Sequence, residues 1–112
     1  MVIPATSLQR EGAPNILEKV VHQYFNYTPL LLASVREAAG KGDASALQKA
    51  AHSLKSSSAN VGAVRLAELC KEVEVKARAN VVHNAHERAA AIATEYGRVR
   101  AALEQELQRR IG

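Results

Sequence analysis

Position 52 carries a histidine whose neighbours at helical spacing suit phosphoryl chemistry. At about 100° per residue, His52 lies off the apolar stripe of its segment, with Gln48 one turn before it and Ser56 one turn after it. Lys55 and Ala59 lie on the same outward flank. A neutral imidazole that faces solvent can attack a phosphoryl group, because this transfer depends mainly on positioning and on neutralising charge. Lys55 can supply part of that neutralisation, and the small side chains leave room for a partner to approach.

Other uses of this histidine lack partners in the sequence. No Ser or Cys lies nearby in a strained turn, and no second acid or base is expected around the ring. Acyl transfer and general-base hydrolysis are therefore disfavoured. A solvent-facing histidine on a helix is also common without any function. From the residues alone, a phosphoryl acceptor and an ordinary surface histidine both stay open.

The segments that must position His52 have the pattern of amphipathic helices. Helix-forming residues dominate, strand-like alternation is missing over any useful length, and apolar residues recur at helical spacing, so the expected fold class is all-α. The stripe of the His52 segment consists of Leu47, Ala50, Ala51, Leu54, Ser58 and Val61. The next segment has Leu66, Leu69, Cys70, Val73 and Ala77, and the last has Ala89, Ile92, Tyr96, Val99, Leu103 and Leu107.

Caps and helix breakers predict the ends of these helices. Asn15 caps a short first helix, Thr28-Pro29 starts a second, and Asp43 caps the helix that carries His52. The predicted spans are residues 15 to about 24, 28 to about 39, 44 to about 60, from 62–63 to a connection at about 78–84, and from there to about 109. Residues 1–14 are interpreted as a flexible tail or linker remnant, with a short helix near 6–10 left open, and residues 15–112 as one domain.

The segment around His52 also carries a family resemblance. Residues 51–63, AHSLKSSSANVGA, closely resemble the motif of histidine-containing phosphotransfer (HPt) domains of bacterial multistep phosphorelays and hybrid sensor histidine kinases. The likeness extends back through Phe25 to Pro29 and Leu31, Leu32, Val35, Ala38, Gly42 and Asp43, and forward through Leu66, Leu69, Cys70 and Glu74. It covers roughly residues 15–110. The family usually has Gly where this chain has Ser56, which implies tighter access to His52.

The resemblance implies a fold and a function. The fold is an antiparallel up-down-up-down four-helix bundle, here with a short N-terminal helix. The function is that of a phosphorelay carrier, in which His52 accepts a phosphoryl group on Nε2 from a receiver-domain phosphoaspartate and passes it to another receiver aspartate. Lys55 is expected to stabilise phosphate charge, and Gln48 either to hydrogen-bond a phosphoryl oxygen or to orient the ring. The expected receiver-docking residues are Ser45, Lys49, Ser56 and Ala59.

The resemblance also implies partners and leaves alternatives. At least two receiver domains are expected as partners, and they supply the Mg²⁺, so no intrinsic cofactor and no autonomous enzyme activity are expected. The chain could stand alone or be the C-terminal domain of a hybrid sensor histidine kinase. One alternative is a non-catalytic HPt-like binding module that regulates a partner protein. Another is a helical DNA-binding or structural bundle, whose affinity for DNA would fall steeply with salt.

Composition argues against several other classes. The net charge of +4 invites a nucleic-acid interpretation, but Lys and Arg alternate with Glu and aromatics make up only 4% of the 112 residues, so no nucleic-acid partner is expected. No apolar run approaches the roughly 20 residues that span a bilayer, and no signal peptide is evident, so no direct membrane contact is expected. One Cys fits a reducing compartment. The expected location is cytoplasmic, with a tether to the inner membrane through a parent kinase left open.

The other titratable side chains have ordinary interpretations. His83 and His86 are three residues apart, but two ligands without a nearby cysteine or carboxylate set are weak evidence, so no metal site is expected. His22 is interpreted as a surface histidine and Cys70 as a small core residue. The last helix shows no strict coiled-coil seam, which favours a monomer.

Overall fold

Four helices make up the described part of the chain, which in this computed structural model is residues 15–111. They are α1 (Asn15–Lys41), α2 (Ala44–Asn60), α3 (Val64–Arg78) and α4 (Ala85–Ile111). Within that range no strand occurs, so the expected all-α class is confirmed. The expected tail at residues 1–14, with its short helix near 6–10, lies outside the described residues. No helix between residues 15 and 111 combines the length and apolarity needed to cross a bilayer.

Short connections set the order of the helices in the bundle. Two residues join α1 to α2 and three join α2 to α3, so successive helices run antiparallel. The Asp43 side chain accepts a hydrogen bond from the Ala46 amide at 3.1 Å, as expected for the cap of α2. Beyond the end of α2, Gly62 has a φ of 79°, which favours glycine. The helix α2 packs against α1 and α3, and α4 packs against the same two helices, so α2 and α4 lie diagonally across the bundle.

The predicted apolar stripes form the core. All six residues of the α2 stripe are buried, and so are most residues of the α3 and α4 stripes, with Leu69 and Leu107 partly buried. Burial of such aliphatic side chains is the main favourable contribution to folding. Cys70 is fully buried, and burial raises the pKa of its thiol to about 12, which agrees with its interpretation as a core residue.

The first helix is longer than the sequence predicts. The proposed separate helices at 15–24 and 28–39 form one continuous helix, α1, with Pro29 in its interior. The prediction of a helix start at Thr28-Pro29 is therefore wrong. The Thr28 hydroxyl instead donates to the Tyr24 carbonyl at 2.6 Å, and buried apolar residues lie on both sides of the proline. Shared packing against one core outweighs the local cost of the missing amide, about 3 kcal/mol.

A polar contact in the core joins α1 to α2. The Tyr24 hydroxyl and the Ser58 hydroxyl are 2.9 Å apart, and both residues are buried. Burial raises the pKa of Tyr24 to about 12, so the phenol stays protonated and can take part in this hydrogen bond. The Tyr24 ring also meets the Tyr96 ring of α4 edge to face, with centroids 5.8 Å apart. These contacts fix α1 against both helices that it packs on, α2 and α4.

Candidate functional site

The candidate site is built on His52, near the middle of α2. Its side chain is 60% exposed, whereas Ala51 and Leu54 on either side of it are fully buried. The helical phase inferred from the sequence is therefore confirmed for this residue. The core side chains of α2 hold the helix against α1 and α3, and this packing presents the imidazole on the outer surface.

The site has a second titratable member, Glu74 of α3. Its Oε2 atom lies 2.7 Å from Nδ1 of His52, although 22 positions separate the two residues in the sequence. The expectation that no second acid or base surrounds the ring is therefore wrong. Antiparallel packing of α2 against α3 brings the two side chains together, and local spacing in the sequence gives no measure of such a contact.

Glu74 is a buried carboxylate with three nitrogen partners. Only 4% of its side chain is exposed. Lys55 donates from Nζ to Oε1 at 2.7 Å, and Arg78 donates from Nη2 to Oε2 at 3.1 Å, so Oε2 contacts both the imidazole and the guanidinium. The hydrogen bond from Lys55 is the main reason why the pKa of Glu74 lies below its usual value; burial opposes this shift and the hydrogen bond from His52 adds to it. The carboxylate is thus ionised at neutral pH.

The ionised carboxylate determines which ring nitrogen can react. A carboxylate has no hydrogen to donate, so the contact at 2.7 Å requires Nδ1 of His52 to carry the hydrogen and Glu74 to accept it. In the neutral ring, the lone pair then lies on Nε2. The arrangement provides a nitrogen nucleophile on a largely exposed side chain, and the opposite nitrogen donates to a carboxylate, which orients the ring and stabilises positive charge on it.

Lys55 is less exposed than its sequence position suggests. Its side chain is 29% exposed, and its ammonium group lies on Glu74. Gln48 is half-buried one turn before the ring, and among the described residues the hydrogen-bond partner of His52 is Glu74 and not Gln48. A hydrogen bond from Gln48 to a phosphoryl oxygen stays a prediction.

The residues expected to dock receivers lie along one outward strip of α2. Ser45, Lys49, Ser56 and Ala59 are all exposed, and with His52 they follow the three- and four-residue spacing of one helix face. A groove of about 470 Å³ runs between α1 and α2 beside this strip, and Lys49 and Ser53 line its α2 side. The imidazole thus lies on an open surface next to a shallow groove.

The remaining histidines lie apart from this cluster. His83 is in the connection between α3 and α4, His86 is in the first turn of α4, and both are exposed. Across residues 15–111, no group of three or more His, Cys, Asp or Glu side chains is placed to hold a metal ion. His22 on α1 is 60% exposed and lies 3.7 Å from Glu18, an ordinary surface pair.

Sequence reasoning missed Glu74 as a site residue, although a signal was present. Glu74 follows Val73 and comes four residues after Cys70, so it lies at the edge of the apolar stripe of α3. An acid at such a position is rarely buried without a cationic partner. Arg78, four residues later on the same helix, was a partner that the sequence could suggest. His52 and Lys55 belong to another helix, so spacing along the chain could not identify them as partners.

Comparisons with known proteins agree with this geometry. The family model described as the Hpt domain matches residues 19–109. The crystal structure of histidine-containing phosphotransfer protein B (HptB) from Pseudomonas aeruginosa PAO1 is similar to the chain, with a TM-score of 0.85 and 35% sequence identity over 93% of this chain and 90% of that chain. A search among curated proteins found no match. The chain therefore belongs to the Hpt domain family and is a histidine phosphotransfer carrier of a phosphorelay.

Proposed function

We propose that His52 is the phosphorylated residue and that it carries a phosphoryl group between two receiver domains. Hpt proteins interact with receiver domains in phosphorelays. The observation that carries the assignment to His52 is its environment: the ring is largely exposed, and Nδ1 is 2.7 Å from the buried carboxylate of Glu74. His22 has a similar exposure but only an exposed carboxylate at 3.7 Å.

The transfer step follows from this arrangement. The lone pair of Nε2 attacks the phosphorus of a receiver phosphoaspartate, a P–N bond forms, and the P–O bond to the aspartate breaks with its electron pair left on the aspartate. Positive charge develops on the ring, and the Glu74 carboxylate, which accepts the Nδ1–H, stabilises it. Transfer to the second receiver reverses these bond changes. The receiver supplies the Mg²⁺ that neutralises the phosphoryl oxygens.

Lys55 supports this step in two ways. Its ammonium holds Glu74 ionised through the contact with Oε1, so the carboxylate remains an acceptor for the imidazole. As a cation near the ring it also contributes to the positive potential that a phosphoryl group meets. Gln48 hydrogen-bonds a phosphoryl oxygen from its place one helical turn away.

Receivers dock on the exposed strip of α2. The small side chains of Ser56 and Ala59 allow a partner backbone close to the ring, while Ser45 and Lys49 extend the surface toward the start of the helix. Because a carrier must release each partner quickly, the interface is small, about 1,200 Å² in total. The protein acts as a monomer in the cytoplasm, alone or as the C-terminal domain of a hybrid kinase.

Phosphorylation by a receiver tests the assignment. Incubation with a phosphorylated receiver domain and Mg²⁺ should give the protein an acid-labile, alkali-stable phosphate. His52→Gln should abolish this label and leave the helical circular dichroism unchanged. His22→Gln is the matched control, since it removes an equally exposed histidine, and it should be labelled like the wild type.

Three outcomes would contradict parts of the proposal. If His52→Gln were labelled as strongly as the wild type, another residue would carry the phosphate. If the wild type formed a stable complex with the receiver and took up no label, the alternative of a regulatory binding module would hold instead. A molar mass in solution of twice the chain mass would contradict the monomer.

A further inference from the structure

The structure contains a second cation at the site that the phosphotransfer step above does not use. Arg78 is the last residue of α3, one turn beyond Glu74, where the helix dipole favours a positive charge. Its Nη2 atom is 3.1 Å from Oε2 of Glu74, the oxygen that also contacts Nδ1 of His52. The guanidinium and the imidazole therefore share one carboxylate oxygen.

The two cations that contact Glu74, Lys55 and Arg78, differ in solvent exposure. Lys55 is 29% exposed and contacts Oε1, the oxygen that faces away from the imidazole contact. Arg78 is 61% exposed and makes the longer of the two contacts. Exposed ion pairs are weak, so the guanidinium can leave Glu74 more easily than the ammonium can. Lys55 is thus the cation that stays with the carboxylate.

The cluster of Glu74, Lys55 and Arg78 carries a net positive charge in the resting protein. Glu74 contributes one negative charge, whereas Lys55 and Arg78 contribute two positive charges, and the imidazole is neutral when it is ready to attack. One cation is enough to pair with the carboxylate. The second cation is free to pair with a further anion that reaches the site, such as a phosphoryl group on Nε2 of His52.

Resting on the proposed function of His52, we propose that Arg78 binds the phosphoryl group that His52 carries. The guanidinium offers five N–H donors in a planar fork, which suits two oxygens of a phosphoryl group, and among the described residues Glu74 is its hydrogen-bond partner. On transfer to Nε2, the guanidinium turns from Oε2 to the phosphoryl oxygens. Glu74 then keeps Lys55 and the imidazole Nδ1–H as its partners.

A small phosphodonor separates this role from receiver docking. Phosphoramidate, whose amino nitrogen is already protonated near neutral pH, transfers its phosphoryl group to the histidine: the new P–N bond forms on Nε2, and the old P–N bond breaks as neutral ammonia leaves with the electron pair of that bond. The rate of phosphohistidine formation can be followed by ³¹P NMR without any receiver. We expect Arg78→Gln to be slower than the wild type by about fivefold, as loss of a charge-assisted contact at a solvated site implies.

Matched variants make the test specific. Arg98→Gln on α4 is the control, because Arg98 is also exposed and also lies 3.1 Å from a buried carboxylate, Glu95, on the helix diagonal to α2. It should react like the wild type. Arg78→Lys should recover part of the rate, since a lysine keeps the charge and loses the fork. In ¹H–¹⁵N NMR spectra, the Arg78 Nε–Hε signal should shift on phosphorylation while that of Arg98 stays in place.

The outcomes separate this inference from the proposed function. If the wild type is labelled at His52 while Arg78→Gln reacts as fast as Arg98→Gln and the Arg78 signal does not move, Arg78 has no role with the phosphoryl group. If Arg78→Gln proves too unstable to assay, the test rests on the rate of Arg78→Lys and on the NMR signal of Arg78 in the wild type. A wild-type rate for Arg78→Lys together with an unmoved Arg78 signal would then contradict the role of Arg78. If the wild type takes no label, or His52→Gln takes it equally well, the assignment of His52 itself fails.

Discussion

Replacing Glu74 by Gln tests the central feature of the site, an ionised acid behind the imidazole. The amide keeps the shape and one oxygen acceptor but removes the charge that His52 and Lys55 both contact. A hydrogen bond to a charged acceptor contributes about 1 to 1.5 kcal/mol more than one to a neutral acceptor. Since about 1.4 kcal/mol corresponds to a factor of ten in rate, Glu74→Gln should accept phosphoryl groups about tenfold more slowly.

The same change should lower stability, because Glu74 is buried. Breaking a buried ion pair costs about 3 to 5 kcal/mol, but Lys55 and Arg78 can regain water and the amide can still accept one hydrogen bond. The expected loss is therefore about 1 to 2 kcal/mol, measured by urea unfolding at pH 7. The control is Glu95→Gln, a buried acid with an arginine partner on α4, which should leave the phosphorylation rate unchanged.

The stability difference should depend on pH in a defined direction. The pKa of Glu74 is lower in the folded protein than in the unfolded chain, so its ionisation stabilises the fold above the unfolded value of about 4.3. This contribution is lost as the pH falls through the lowered folded value. Unfolding curves of the wild type and of Glu74→Gln should thus converge as the solution is acidified below about pH 4.

Two results would refute the reasoning about Glu74. One is a phosphorylation rate of Glu74→Gln equal to that of the wild type. The other is an imidazole ¹⁵N spectrum in which Nδ1 of His52 carries no hydrogen in the neutral wild-type protein, because the carboxylate would then not be its acceptor.

Three further substitutions test the ion pair of Lys55, the core and the cap of α2. Lys55→Ala should lower the free energy of unfolding by about 1 kcal/mol and should slow phosphoryl transfer, because Lys55 pairs with buried Glu74. This loss exceeds the roughly 0.5 kcal/mol expected for an exposed lysine, and an unchanged urea midpoint would contradict it. Leu54→Ala should lower the free energy of unfolding by about 3 kcal/mol because Leu54 is fully buried. A loss under 1 kcal/mol would contradict this, since it would mean that neighbouring side chains fill the cavity that the substitution leaves. Asp43→Ala should cost about 1 kcal/mol in thermal unfolding by removing the α2 cap, whereas Asp43→Asn should cost much less.

The periodic features of the chain could be predicted from the sequence. Apolar residues at helical spacing identified the buried face of α2, and the outward phase of His52 followed from the same pattern. Asp43 was recognisable as a cap because its side-chain chemistry acts within three residues. Such features depend on neighbours along the chain, which a single sequence shows directly.

Features that depend on contacts between helices were harder to predict. Pro29 has the local pattern of a helix start, yet the packing of Leu17, Val21 and Val35 against one core keeps α1 continuous through it. Glu74 gave a weak signal as an acid beside an apolar stripe. Its pairing with His52 depends on how α2 and α3 are placed along each other, which the periodicity of neither helix determines.

The hydrogen bond between Tyr24 and Ser58 limits how α2 can slide along α1. A slide of α2 by one helical turn, about 5.4 Å, would break this 2.9 Å contact and leave each buried hydroxyl without the other as its partner. The contact therefore helps to fix the position of the imidazole along the bundle axis. Under the proposed function, every receiver would meet the imidazole at the same position on the bundle surface.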